Sequence, residues 1–174
     1  QERQRAWLWV VVAPGATVFH LARRRAALVV RERLGQRFNQ VVTCGRFRAY
    51  RWLKRLQWCW AHLRRDFQAM IDRGGTGEAV GQALLAHSEV LFDWWYRVRD
   101  GTLARGSFQK YIGWLRVAFA EDLKRGAVCG CAKTAATCRD LLGHEPFLWT
   151  FVWNEGIETT NNDAERALRH ALTV

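Results

Sequence analysis

The chain has 174 residues and a formal net charge of +11, with 27 Lys and Arg against 16 Asp and Glu. Hydrophobic residues make up 49% and charged residues 25%, which is typical of a globular protein with a buried core and argues against a disordered chain. No apolar run reaches the roughly 18 residues that a transmembrane helix needs, which argues against a membrane protein.

The basic residues are almost all arginine, because the only lysines are Lys54, Lys110, Lys124 and Lys133. The planar guanidinium group matches phosphate oxygens with a fork of donors, so a nucleic acid is the first candidate partner. The alternative is that coding DNA rich in G and C enriches arginine whatever the function.

The first fifty residues carry the strand signals. The apolar run "AWLWVVVA" ends at Pro14-Gly15 and is followed by the alternating "ATVFHLAR", which together predict a β-hairpin. "RAALVVRERLG" has helical spacing and stops at Gly35, and "NQVVTCG" predicts a further short strand. This order favours an α/β or α+β fold.

From about residue 50 the strand signals fade and helical spacing takes over. Four amphipathic segments predict helices over residues 60 to 143: "QWCWAHLRRDFQAMIDRGG", "GEAVGQALLAHSEVLFDWWYRVRDG", "SFQKYIGWLRVAFAEDLKRG" and "CAKTAATCRDLLGH". The helical spacing of Trp94, Trp95 and Trp114 favours packing in the core and between helices over stacking on bases.

A last helix is predicted by "NNDAERALRHAL", after the apolar segment "EPFLWTFVWNEGIETT" and its glycine-containing turn. Asn162 and Glu165 fit an N-x-x-E capping box, in which the Asn162 side chain accepts an amide and Glu165 reaches back to the cap. The alternative is that Glu165 is a metal ligand, which requires further carboxylates beside it.

Two cysteine-containing segments invite a metal interpretation, but local packing is favoured for both. In "CGCAKTAATC" the spacing of Cys129, Cys131 and Cys138 differs from the paired knuckles of zinc sites. Cys59 and His62 could share a helix face, but they lack two further ligands nearby. Five cysteines and no recognisable secretion signal favour reduced thiols in a cytoplasmic protein.

Three blocks occur together in this chain: "AWLWVVV", "CWAHLRRDF" and "TTNNDAERALRHAL". In this order, with helical sequence between the last two, they resemble the insertion-sequence 66 family of bacterial transposases. The middle block is similar to C-W-A-H-x-R-[RK]-x-F of that family, and the last to N-N-x-[AV]-E-R-A-[IL]-R. The resemblance covers essentially the whole chain.

The resemblance implies a ribonuclease-H-like core that is interrupted by a helical insertion before the last catalytic helix. It also implies a triad of two aspartates and one glutamate that binds Mg²⁺, cuts DNA with water and joins the freed 3′-hydroxyl to target DNA. Glu165 corresponds to the glutamate of that triad, as catalytic residue and metal ligand.

The chain departs from the family pattern at the two aspartates. The block "VVTCGRFRAY" is similar to V-x-S-D-R-[WFY]-x-A-Y and places Gly45 where the second aspartate should be. The first aspartate of the family lies on a strand that would precede Gln1. We therefore expect an N-terminally truncated fragment that binds Mg²⁺ unproductively and is inactive by itself.

These inferences predict three parts: 1–58, the strand-containing part of the core; 59–143, the helical insertion; and 144–174, the return to the core. The expected partner is DNA, both transposon ends and target, in the bacterial cytoplasm at the nucleoid. The predicted DNA contacts are Arg46, Arg64, Arg65, Arg166 and Arg169. The unpaired sheet edge left by a missing strand favours a homo-oligomer. The alternative function is a non-catalytic DNA-binding or assembly module, or a decayed remnant.

Overall fold

The computed structural model describes residues 5–172. Within that range the strands are β1 (Trp7–Ala13), β2 (Ala16–Ala22), β3 (Val42–Cys44) and β4 (Leu56–Trp58). The helices are α1 (Ala27–Leu34), α2 (Trp60–Asp72), α3 (Glu78–Arg99), α4 (Arg105–Ala127), α5 (Ala132–Gly143), α6 (Thr150–Trp153) and α7 (Asn162–Leu172). The predicted mixture of helices and small sheets is confirmed, and the fold class is α+β.

The chain divides into two compact units. The first, which we call the strand unit, comprises Gln1–Cys59 and Ile157–Val174. The second, the helical unit, comprises Trp60–Gly156. The strand unit is therefore built from both ends of the sequence, and the helical unit is the segment between them.

The predicted hairpin is confirmed. β1 and β2 pair antiparallel from Trp7 opposite Ala22 to Ala13 opposite Ala16, so the turn consists of the two residues Pro14 and Gly15. Gly15 has a φ of 77°, a value that glycine adopts without strain, and proline followed by such a glycine is the residue pair of a type II turn. The turn residues thereby fix the register of the hairpin.

β3 and β4 form a separate two-stranded parallel sheet, with Val42 opposite Leu56 and Cys44 opposite Trp58. The strand at Leu56–Trp58 corrects the prediction that strand signals end near residue 50. All three of its residues are buried, so the strand shows no alternation of apolar and polar residues that a sequence pattern could reveal.

The helical unit is held by an aromatic core around Trp60. The Trp60 ring is fully buried and lies 5.2 Å from the Trp149 ring and 5.8 Å from the Phe119 ring, measured between centroids. Its indole N–H donates to the Leu148 carbonyl at 2.9 Å. Aromatic packing and a satisfied indole donor together make Trp60 a structural residue.

The three tryptophans that were predicted to pack in the core and between helices have different environments. Trp94 on α3 is half-buried, and its ring lies 5.3 Å from the ring of Tyr111 on α4, as predicted. Trp95 is buried and its ring contacts the Phe151 ring edge-on at 5.0 Å, as predicted. The prediction is wrong for Trp114, which is 73% exposed and whose ring stacks on the Tyr111 ring at 6.0 Å. Helical spacing alone does not identify Trp114 as exposed, because its neighbours Leu115 and Ile112 are both buried.

The apolar segment before the last helix folds as the 3-10 turn Glu145–Leu148 and the short helix α6. Its buried residues are Leu148, Trp149, Phe151 and Val152. The predicted glycine turn follows at Gly156, which has a φ of 73°. None of the helices within the described residues is long and apolar enough to span a membrane.

Candidate functional site

Gly45 and Cys59 directly follow the two parallel strands of the strand unit. Cys44 ends β3 and Trp58 ends β4, and the Cys59 amide donates to the Cys44 carbonyl at 2.9 Å. Because the strands are parallel, their C-terminal ends lie at one edge of the sheet. Gly45, the position of the missing aspartate, therefore lies at this edge.

The segment that leads into α7 is attached to the same strand pair. The Thr43 hydroxyl donates to the Glu158 carbonyl at 3.1 Å, and the Asn161 amide donates to the Cys59 Sγ at 3.5 Å. These two contacts join positions far apart in the sequence. They bring the N-terminal end of α7, where Glu165 lies, to the edge that Gly45 occupies.

The capping box predicted at the start of α7 is displaced by one residue. The Glu165 amide donates to the Asn161 carbonyl at 3.1 Å, so Asn161 is the cap residue and Asn162 is already helical. Glu165 is then the fourth residue of the helix and not the third. The Asn161 Oδ1 is buried and has no hydrogen-bond partner within residues 5–172, so it does not cap the helix either.

The side chains at this edge do not fit a pair of Mg²⁺ ions. Mg²⁺ prefers oxygen ligands, whereas Gly45 offers no side chain and Cys44 and Cys59 offer sulfur. Burial, with a further contribution from Cys59, raises the pKa of the Cys44 thiol to about 12, so this group stays protonated. No group of three His, Cys, Asp or Glu suited to a metal lies within the part of the chain that the structure describes.

The predicted DNA contacts are divided between the two units. Arg46 follows Gly45 in the strand unit, and Arg166 and Arg169 lie on α7 with exposed side chains. Arg166 is ion-paired with Asp163, one turn earlier in the helix.

Arg64 and Arg65 lie on α2 in the helical unit. The Arg64 guanidinium is 4.0 Å from the Glu89 carboxylate, and its carbon lies 5.8 Å from the centre of the Phe92 ring. The Arg64 guanidinium therefore already interacts with two residues of the helical unit.

The positive charge of the chain is concentrated in the strand unit. That unit holds 15 of the Lys and Arg and 5 of the Asp and Glu, a formal charge of +10. The helical unit holds 12 and 11, a formal charge of +1. The net charge of the whole chain is therefore an average over a nearly neutral helical unit and a strongly basic strand unit. The basic unit is suited to a polyanionic partner.

The arginines of the strand unit have two kinds of environment. The Arg25 guanidinium lies 4.2 Å from the centre of the Phe47 ring, and that of Arg31 lies 5.1 Å from the centre of the Trp52 ring, so both contribute to packing. Arg23 and Arg24 are exposed and form no ion pair with any described residue. The positive charges of Arg23 and Arg24 are therefore available to an anionic partner.

The chain thus combines a basic strand unit with a nearly neutral helical segment inserted in its sequence. The profile of the transposase IS66 family matches residues 1–173, and the chain belongs to that family. Its function is accordingly transposase-like, with DNA as the substrate that the family implies. No curated protein and no solved structure matches the chain significantly.

Sequence reasoning did not identify the residues that assemble this edge. Thr43 and Cys59 form contacts with residues 115 and 102 positions away, and no local pattern predicts such pairs. The concentration of charge could have been found by counting, because residues 23–55 contain eleven Lys and Arg and a single acidic residue, Glu32.

Proposed function

We propose that this chain is a catalytic-type domain of a DDE-type transposase, built on a ribonuclease-H-like core, that by itself neither cleaves nor joins DNA. An antiparallel hairpin, a helix and a parallel strand pair precede the helical unit, and α7 follows it, which supports the proposed core. The observation that carries the proposal is Gly45 at the end of β3, where a second carboxylate would have to accompany Glu165.

The proposed inactivity follows from the chemistry of metal-dependent phosphodiester cleavage. Two metal ions activate the attacking oxygen and stabilise the leaving oxygen, and each ion requires anionic oxygen ligands. Glu165 alone cannot supply the ligands for both. The divalent metal that the family implies would therefore bind too weakly here to support the reaction.

The test is a nicking assay with labelled transposon-end DNA, Mg²⁺ and the full chain, with the variant Glu165→Gln as a control. We expect no cleavage above the level of buffer alone for either protein. Metal-dependent nicking by the wild-type chain that disappears in Glu165→Gln would overturn the proposed inactivity.

A gain of metal affinity in Gly45→Asp tests the same explanation from the opposite direction. Gly45 does not have a positive φ, so its backbone conformation is open to aspartate. A second carboxylate should strengthen binding of Mn²⁺, a spectroscopic substitute for Mg²⁺, relative to the wild type. Unchanged Mn²⁺ affinity in this variant would show that Gly45 is not at a metal position.

The second candidate function is a DNA-binding or assembly module without catalysis, and the formal charge of the strand unit favours it. Phosphate contacts release counterions, so the logarithm of the affinity for duplex DNA should fall linearly with the logarithm of the salt concentration. Fluorescence anisotropy with a labelled duplex measures this slope. A salt-independent affinity, or no binding at low salt, would eliminate this candidate.

Association between copies of the chain is the assembly part of this proposal. Among residues 5–172 each sheet has two strands, so both present open edges, and Val18 and Leu21 are 55% and 69% exposed. Light scattering over a range of protein concentrations would detect the expected dimers. A monomer at all concentrations would contradict this part and leave DNA binding untouched.

A further inference from the structure

A pocket of about 350 Å³ lies in the strand unit, away from the edge that carries Gly45. It is lined by two loops, residues 36–40 before β3 and residues 52–55 before β4. Because both loops precede parallel strands, the pocket lies at the N-terminal ends of those strands, whereas Gly45 and Cys59 follow their C-terminal ends. The two sites are therefore at opposite ends of one strand pair.

The lining of this pocket is basic and contains no carboxylate. Three of its nine residues are the cations Arg37, Lys54 and Arg55, whose side chains are exposed. Arg37 and Lys54 form no ion pair with any residue in the described range, and the Arg55 Nη1 donates to the Asn39 carbonyl at 3.2 Å. Arg37 and Lys54 lie in a lining without an acid, and such cations favour an anionic ligand.

The pocket also has an aromatic and amide lining. Phe38 and Trp52 are half-buried lining residues, and the amide side chains of Gln36, Asn39 and Gln40 complete the loop wall. Aromatic rings stack on nucleobases, and amide groups pair with the hydrogen-bonding edges of bases. Cations, aromatic rings and amides in one pocket match the phosphate and base of a nucleotide.

The size of the pocket limits the ligand. A volume of about 350 Å³ is at the lower end of the range for small-molecule sites and suits a single nucleotide. To stack on an aromatic ring, a base must offer a face that its neighbours cover in a duplex. The nucleotide must therefore be unpaired.

We propose that the pocket between residues 36–40 and 52–55 binds one unpaired nucleotide of a DNA strand, with Arg37, Lys54 and Arg55 at its phosphate and Phe38 and Trp52 beside its base. This inference rests on the proposed DNA-binding function and specifies a second contact site for it. In this proposal the pocket binds the DNA strand at a position distant from the Gly45 edge. It takes no part in bond cleavage.

The test compares the full chain with the double variant Arg37→Gln/Lys54→Gln, using anisotropy of a labelled single-stranded oligothymidylate. Each lost phosphate contact lowers the salt slope by about 0.7 for a single strand, and we expect an affinity loss of about tenfold at moderate salt. The matched control Arg99→Gln/Lys110→Gln removes the same charge from exposed positions of the helical unit. It should change the affinity by less than about twofold.

An abasic oligonucleotide of the same length tests the role of the base. It keeps the phosphates and lacks the bases, so the wild type should bind it about tenfold more weakly than oligothymidylate. The double variant should show a smaller difference, because the phosphate contacts that hold the nucleotide in the pocket are gone. Thermal unfolding of both variants checks that they are folded.

Several results would overturn the inference. Equal losses in the pocket variant and the control would show that only total charge matters, and equal binding of the abasic strand would remove the base from the site. Displacement of the oligonucleotide by an equal nucleotide concentration of free thymidine monophosphate would assign the pocket to a free nucleotide. If the wild type binds neither strand nor duplex at low salt, the proposed DNA-binding function fails, and this inference fails with it.

Discussion

The two units of this chain differ in how much aromatic surface they bury and in how much charge they carry. The helical unit buries Trp60, Phe119 and Trp149 in one aromatic cluster and has a formal charge of +1. The strand unit has a formal charge of +10, and its described residues form two sheets of two strands each, with exposed apolar side chains on the hairpin. The helical unit therefore concentrates buried aromatic packing, whereas the strand unit concentrates the positive charge that we propose binds DNA.

The largest expected effect is the loss of the aromatic core. Trp60→Ala removes a fully buried ring and its hydrogen bond to the Leu148 carbonyl, so we expect a loss of about 3–5 kcal/mol in the free energy of unfolding. Trp114→Ala is the matched control, because that side chain is 73% exposed, and it should change stability by about 0.5 kcal/mol or less. Denaturant titration measures both, and similar losses would contradict the packing described here.

An intermediate effect is expected from two glycines of the helical unit. A Cβ atom at Gly81 would lie 2.7 Å from the Phe67 carbonyl oxygen, because α2 and α3 approach closely there. Gly81→Ala should therefore cost about 1–3 kcal/mol. Gly113 on α4 has open space around the same atom, so Gly113→Ala should stabilise the protein by up to about 1 kcal/mol. Thermal unfolding that shifts in the same direction for both variants would argue against this difference in helix packing.

The smallest expected effect concerns a single thiol in the helical unit. Hydrogen bonds from the Thr134 hydroxyl and amide, with further donation from Arg73 and the Lys133 amide, lower the pKa of Cys131 to about 7. The thiolate fraction therefore rises with pH and reaches one half near pH 7. Iodoacetamide labelling followed by mass spectrometry should show this profile, and Thr134→Val should move it to higher pH. Buried Cys44, with its raised pKa, is the unreactive internal control.

The sequence predicted the parts of the fold whose signals are local. The hairpin was predictable because Pro14 and Gly15 separate an apolar run from an alternating segment. The long helices were predictable because their apolar residues recur every three or four positions. β4 was not predictable, because its three residues are all buried and carry no periodicity. The start of α7 was misplaced by one residue, since Asn161 and Asn162 are both suitable caps and only the backbone bond to Glu165 distinguishes them.

The sequence predicted which residues belong to the candidate site, but not which contacts bring them together. Family blocks named Gly45 and Glu165, but the contacts that attach α7 to the strand pair run from Thr43 to Glu158 and from Cys59 to Asn161. These contacts depend on how the chain returns after the helical unit, which no local pattern encodes. The basic pocket likewise combines two loops that are separate in the sequence.

DNA binding through the strand unit is tested most directly with two matched triple variants. For each variant, the salt dependence of the affinity for duplex DNA is measured. One replaces Arg23, Arg24 and Arg33 with glutamine in the strand unit, and the other replaces Arg97, Arg99 and Lys110 in the helical unit; all six side chains are exposed. The account predicts that the slope falls by up to about 2.7 in the first variant, at about 0.9 per phosphate, and is unchanged in the second. A lower slope in the helical-unit variant alone would contradict it.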